Sequence, residues 1–117
     1  MNRIRMRGTA NQVDWAEQIK VRVNAEFDRV AVALALAATR QTEADRMDTL
    51  AVIAVLEDKR AAVMRNDQAG YFIHDWQELS DQVRQMIVQD ARYKTIKANQ
   101  ALADKSHKST VTGGYTA

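Results

Sequence analysis

From Val13 to Ala37, apolar side chains return every three or four residues: Val13, Ala16, Ile19, Val23, Phe27, Val30, Leu34 and Ala37. That period marks one face of an α-helix. Thr9-Ala10-Asn11-Gln12 stands just ahead of it and fits a capping box, with the threonine oxygen taking a free first-turn amide and the glutamine reaching back. No breaker follows before about Arg40. A helix over residues 10–39 would run roughly 45 Å at about 1.5 Å per residue. Asp14, Glu17, Lys20, Asp28 and Arg29 leave its first half amphipathic. The second half is apolar all round and is expected to be surrounded by partners.

The rest of the chain offers few places to turn. Proline is absent, and two of the four glycines fall in the last five residues, so a small β-sandwich, which needs a turn every 8–12 residues, is excluded. A second helix is expected from Thr42-Glu43-Ala44-Asp45, with acids in its first turn where the dipole favours them. Met47, Leu50, Ile53, Ala54, Ala61 and Met64 form its main stripe, and Val52, Leu56 and Val63 a second one. Asn66-Asp67 is expected to end that helix and cap the next segment, where Tyr71, Phe72, Ile73 and Trp76 gather. Ser80 is read as the N-cap of a last helix through Val83, Met86, Ile87, Ala91 and Ile96. The whole is read as an all-α, three- to four-helix antiparallel bundle with a long first helix. Residues 1–8 are a basic N-terminal arm, 9–103 the helical domain and 104–117 a flexible tail too poor in apolar surface to offset its ordering entropy.

At 117 residues this is one domain, and a formal net charge of +2 hides basic ends around a mildly acidic body. Cysteine is absent, which excludes disulfides, thiolate metal sites and cysteine nucleophiles. The longest apolar run, Val30–Ala38, is less than half of the roughly 20 residues that cross a bilayer, and nothing at the N-terminus reads as a signal peptide. The cytoplasm is the expected compartment.

Catalysis finds little footing, and no enzyme activity, metal or cofactor is expected. His74 and Asp75 are adjacent, and neighbours on a helix point about 100° apart, so they do not pair as a dyad. Glu43, Asp45 and Asp48 are explained by the helix dipole, and nothing repeats the Glu-x-x-His pattern of di-iron bundles. Gly113-Gly114 has no strand–helix context for a phosphate loop. Trp15, one turn before Ile19, is expected to anchor against the third segment, with an exposed hot spot for a partner as the competing role.

The string Gly8-Thr9-Ala10-Asn11-Gln12-Val13-Asp14-Trp15-Ala16-Glu17-Gln18-Ile19-Lys20 resembles a recurrent opening of small helical proteins in bacterial mobile elements. There, Gly, Ser or Thr, Gln, Val or Ile, Trp-Ala and Ile recur at this spacing. A second block, an aromatic followed by Ile-Asp-Asn-Arg and a capped helix, is approximated by Phe72-Ile73-His74-Asp75-Trp76 and Ser80, with His74-Asp75-Trp76 departing from the pattern. Thr9, Gln12, Trp15, Ile19, Phe72 and Ser80 also read as structural members of these blocks. At least one protein with a similar opening is an anti-CRISPR, a phage-encoded inhibitor of a type I CRISPR system. The resemblance implies a non-enzymatic binding protein that blocks a host defence complex, either the CRISPR effector or its nuclease.

Acidic helix faces compete with DNA for basic channels, so Asp14, Glu17, Glu57 and Asp58 are the expected contacts. Tyr71, His74 and Trp76 join them if the aromatic cluster is partly exposed. Two alternatives stand beside this reading. One is a nucleic-acid accessory protein using Arg3, Arg5, Arg7, Arg84, Arg92, Lys94 and Lys97. The other is a homodimer sealed by the Val52, Leu56 and Val63 stripe.

Overall fold

The computed structural model describes residues 6–116, with side chains described as far as Asp104 apart from Ser80. Among the described residues it is all-helical, with five helices where three to four were expected. They are α1 (Ala10–Ala38), α2 (Glu43–Met64), α3 (Ala69–Asp75), α4 (Leu79–Val88) and α5 (Ala91–Thr116). None is long and apolar enough to cross a membrane.

The start of α1 follows local chemistry. The Gln12 amide donates to Thr9 Oγ1 at 3.2 Å, and the Thr9 amide donates to Gln12 Oε1 at 3.0 Å, completing the capping box. The residues before it are tied down. Arg7 donates its amide to the Asp67 carbonyl at 2.7 Å, and Ala69 donates back to the Arg7 carbonyl at 3.0 Å. Gly8 makes this close strap possible, because its φ is +151° and a Cβ there would stand 3.1 Å from the Ala69 Cβ. Met6 is buried in the core beside it, while residues 1–5 of the expected arm lie outside the described residues.

The α1–α2 link spans only residues 39–42, and Thr42 Oγ1 accepts the Asp45 amide at 3.3 Å to start α2. Arg60, far along α2, reaches Asn24 and Asp28 in the middle of α1, so α2 folds back along its neighbour. The two α2 stripes have exchanged roles relative to expectation. Val52, Val55, Leu56 and Val63 are buried, while of the expected main stripe Met47, Leu50, Ala54 and Ala61 are exposed and Ile53 and Met64 half-buried. Glu57 and Asp58 follow Ala54 by three and four residues, so the nominal main stripe has carboxylates in its middle and turns to water. Lys59 and Arg60 border the buried stripe instead, and their long stems carry the charges out to acids. The Val52, Leu56 and Val63 stripe is therefore core and cannot be the dimer seam. The second half of α1 is also less enclosed than expected: Val32 and Leu36 are each 59% exposed, because the other helices cover only the Val30, Ala31, Leu34 and Ala38 side.

Corrections cluster around the last three helices. Asn66-Asp67 does not cap α3, whose N-cap is Gln68; Asn66 Oδ1 accepts the Gln68 amide at 2.9 Å and shapes the turn ahead of it. Ser80 lies inside α4 rather than at its N-cap, which is Glu78. Its place is taken by a link in which the Glu78 amide donates to Gln82 Oε1 at 2.9 Å. The single last helix is two, because Asp90 accepts the Arg92 amide at 2.8 Å and restarts the chain as α5. The α5 backbone continues to Thr116, across the stretch read from composition as a tail.

Phe27, Leu56, Phe72, Val23, Val55 and Val83 are the largest fully buried side chains and join α1, α2, α3 and α4 in one cluster. Trp76 closes it, its ring centroid 6.1 Å from that of Phe27 at a tilt of 58°. Replacing Phe72 with Ala should cost about 3–5 kcal/mol through lost burial and the cavity left behind. Thr9→Ala removes one cap and should cost about 1 kcal/mol. Urea denaturation of both variants checks the ordering.

Candidate partner-binding surface

Charge on the surface is distributed by two ion-pair networks. In the first, Arg60 donates to Asp28 on α1, and to Glu57 Oε1 at 3.0 Å. Its side chain is only 18% exposed and its guanidinium carbon lies 5.9 Å from the Phe27 ring centroid. A cation in that position gains from the ring face and from two carboxylates together.

The second network fastens α5 to α2. Asp90 receives Lys59 Nζ at 3.0 Å, and Arg92 through Nε at 3.0 Å and Nη2 at 3.1 Å. Arg92 also donates Nη1 to Asp58 Oδ2 at 2.6 Å. The Arg92 hydrogen bonds, with Lys59 behind them, hold the Asp90 carboxyl far below the ordinary aspartate range. Asp90, then Asp58, push the Arg92 guanidinium upward in turn. On α1, paired hydrogen bonds from Arg29 at 2.8 and 2.6 Å lower Glu26 in the same way. Farther along, Gln100 donates to Asp48 at 3.1 Å.

These networks sort the acids expected to meet a partner. Glu57 and Asp58 are exposed but are engaged by Arg60 and Arg92. Asp14 is exposed and Glu17 half-buried, and among the described residues neither makes an ion pair. The aromatic cluster divides as well. His74 is exposed and Tyr71 half-buried, edge-on to Phe72 at 5.1 Å. Trp76 is buried against Phe27, so it belongs to the core and not to a contact surface. Trp15 departs the other way. Expected as an anchor against α3, it stands 57% exposed, since Ala16 and Val13 rather than Trp15 carry the inward face of that turn. Thr9 and Gln12 form the cap, Phe72 is fully buried and Ile19 packs against the core.

Three of the cations named for nucleic acid are answered by carboxylates. Arg7 pairs with Asp67 at 3.1 Å and Arg84 with Asp81 at 3.6 Å, while Arg92 is held as described. Lys94 and Lys97 are exposed, with Lys97 Nζ 5.6 Å from the Tyr93 ring centroid. Arg3 and Arg5 lie outside the described residues.

Among the described residues, no group of three or more His, Asp or Glu is placed to hold a metal ion. A groove of about 360 Å³ opens between α1, α2, α4 and α5, apolar through Val30, Leu34, Val52, Ile87 and Tyr93, with Arg29 and Arg84 in its wall. Sequence reasoning missed it, because it gathers residues of four helices and Tyr93 joins them after the chain restarts at Asp90. The signal was present: an aspartate followed by Ala91-Arg92 is a helix start. No protein-family model, curated protein or solved structure matches the chain.

Asp90→Asn tests the second network while keeping a capping oxygen. The folded carboxyl is depressed, so its contribution is present above the unfolded value of about 4 and disappears as pH falls toward the folded one. The variant should be less stable than wild type at pH 7, and the gap should close on acidification below about pH 4. Urea midpoints measured at stepped pH check this; a gap that stays constant would contradict it.

Proposed function

We propose that the protein is a non-enzymatic inhibitor from a phage or mobile element, which binds a bacterial defence complex and covers a site that complex needs. The target class is a type I CRISPR surveillance complex or the nuclease it recruits. The Gly8–Lys20 resemblance supports the target class, and the exposure of Trp15 carries the mode of action. A tryptophan standing in solvent on a capped, rigid helix loses little conformational freedom when it enters a partner's pocket.

The surroundings fit such a contact. Asp14 and Glu17 share the opening turns of α1 with Trp15 and bring negative charge that other side chains of the described residues do not pair. Lys20 Nζ lies 5.9 Å from the Phe72 ring centroid, which sets α3, with Tyr71 and His74, against this part of α1. An aromatic anchor beside acids suits a basic channel that otherwise takes nucleic acid. Inhibition would follow from occupancy, with no reaction step. Glu57 and Asp58 have smaller parts in this reading, because Arg60 and Arg92 already hold them.

Phage plating on hosts that carry type I systems tests the proposal. Expression of the protein should restore plating in at least one system. Trp15→Ala should abolish that effect without changing helical content, and should weaken binding to the isolated complex by about 30-fold or more, the scale of a hot-spot loss. Unchanged interference in every type I system would remove the proposal.

A further inference from the structure

We propose that the outward stripe of α2 seats a second copy of this chain, laid antiparallel about a two-fold axis through Ala54. The proposal stands independently of the defence-complex reading. Met47 is 63% and Leu50 50% exposed, and Ala54 and Ala61 continue their line at helical spacing. The pair Asp28–Arg60 marks where α1 and α2 meet along this side. Val32 and Leu36 follow Asp28 by four and eight residues, while Glu57 and Leu50 precede Arg60 by three and ten. Both helices therefore present apolar side chains on one side of the hairpin.

The charge pattern chooses the occupant. Glu43 begins α2 and Arg65 follows its last residue, each eleven positions from Ala54. Both are exposed, and among the described residues neither makes an ion pair. A two-fold axis at Ala54 sets Glu43 of each copy opposite Arg65 of the other, and Met47 opposite Ala61, large against small. Ala54 at the axis lets the backbones approach. A parallel arrangement would instead set Glu43 on Glu43. Near the axis, Asp58 is balanced within the set of Lys59, Arg92, Asp90 and Asp58, while Glu57 shares the one cation Arg60 with Asp28. The stripe thus carries opposite charges at its two ends, a pattern that complements itself when two copies lie antiparallel.

Its size is adequate. At about 1.5 Å per residue α2 is about 33 Å long, and two helices side by side are about 20 Å wide, giving roughly 650 Å² per copy. The total of about 1,300 Å² falls within the range of specific interfaces, about 1,200–2,000 Å².

Sedimentation equilibrium of the full chain over a concentration series provides the test. Wild type should dimerise, and Ala54→Glu should be monomeric with unchanged circular dichroism. Glu43→Arg and Arg65→Glu alone should each weaken the dimer by about tenfold or more, and the double variant should recover it. Both exchanges oppose the α2 dipole, so the double variant should melt lowest of all yet dimerise better than either single one. A wild type that stays monomeric at every concentration overturns the proposal and leaves this face to a different protein. A dimer indifferent to Ala54→Glu, or a double variant that fails to recover, overturns it equally.

Discussion

The α1–α2 hairpin is held in register by a cation laid over an aromatic ring. Arg60 lies against Phe27 and ties α2 to Asp28, so the two longest well-packed stretches of helix cannot slide without breaking both contacts. Everything else is added to that pair. Phe72 and Trp76 of the α3 region pack on α1, and Val83 and Ile87 of α4 close over both helices. The arrangement places a charge at the edge of the core, where its stem contributes apolar contact and its head reaches carboxylates near water.

Local chemistry was legible in the sequence. The Thr9–Gln12 capping box, the Thr42 start and the α1 stripe as far as Leu34 each depend on residues within one or two turns, and each stands where its pattern places it. Ala37, by contrast, is exposed, and Ala38 is buried in its stead. The α2 faces were not legible by counting apolar residues, since both stripes have enough of them. The choice falls to Glu57 and Asp58 against Lys59 and Arg60, and to whether a side chain is long enough to carry its charge clear of the core. The places of Trp15 and Trp76 were not legible for a related reason. Hydrophobicity says that an indole gains from burial, but tertiary packing decided that Ala16 and Val13 face inward in the first turns while Trp76 caps Phe27.

The break at Asp90 was missed because apolar spacing continues across it in the sequence. One aspartate redirects the backbone, receives Lys59 and Arg92, and thereby fixes where α5 leaves α2. The groove beside Tyr93 follows from that redirection. Much of the surface charge is consumed in these internal ties, and at the opening of α1 acid left unpaired among the described residues coincides with an exposed indole.

The strap at Met6–Gly8 sets an order on assembly. Its hydrogen-bond partners are Asp67 and Ala69, so Met6–Gly8 have no seat until the turn between α2 and α3 has been made. The α1–α2 hairpin, by contrast, needs only near neighbours and forms from low-cost loop closure. The N-terminal strand-like turn is then a late clasp, shut across a hairpin already formed, and α3 gains its final anchorage when Met6 drops into the core.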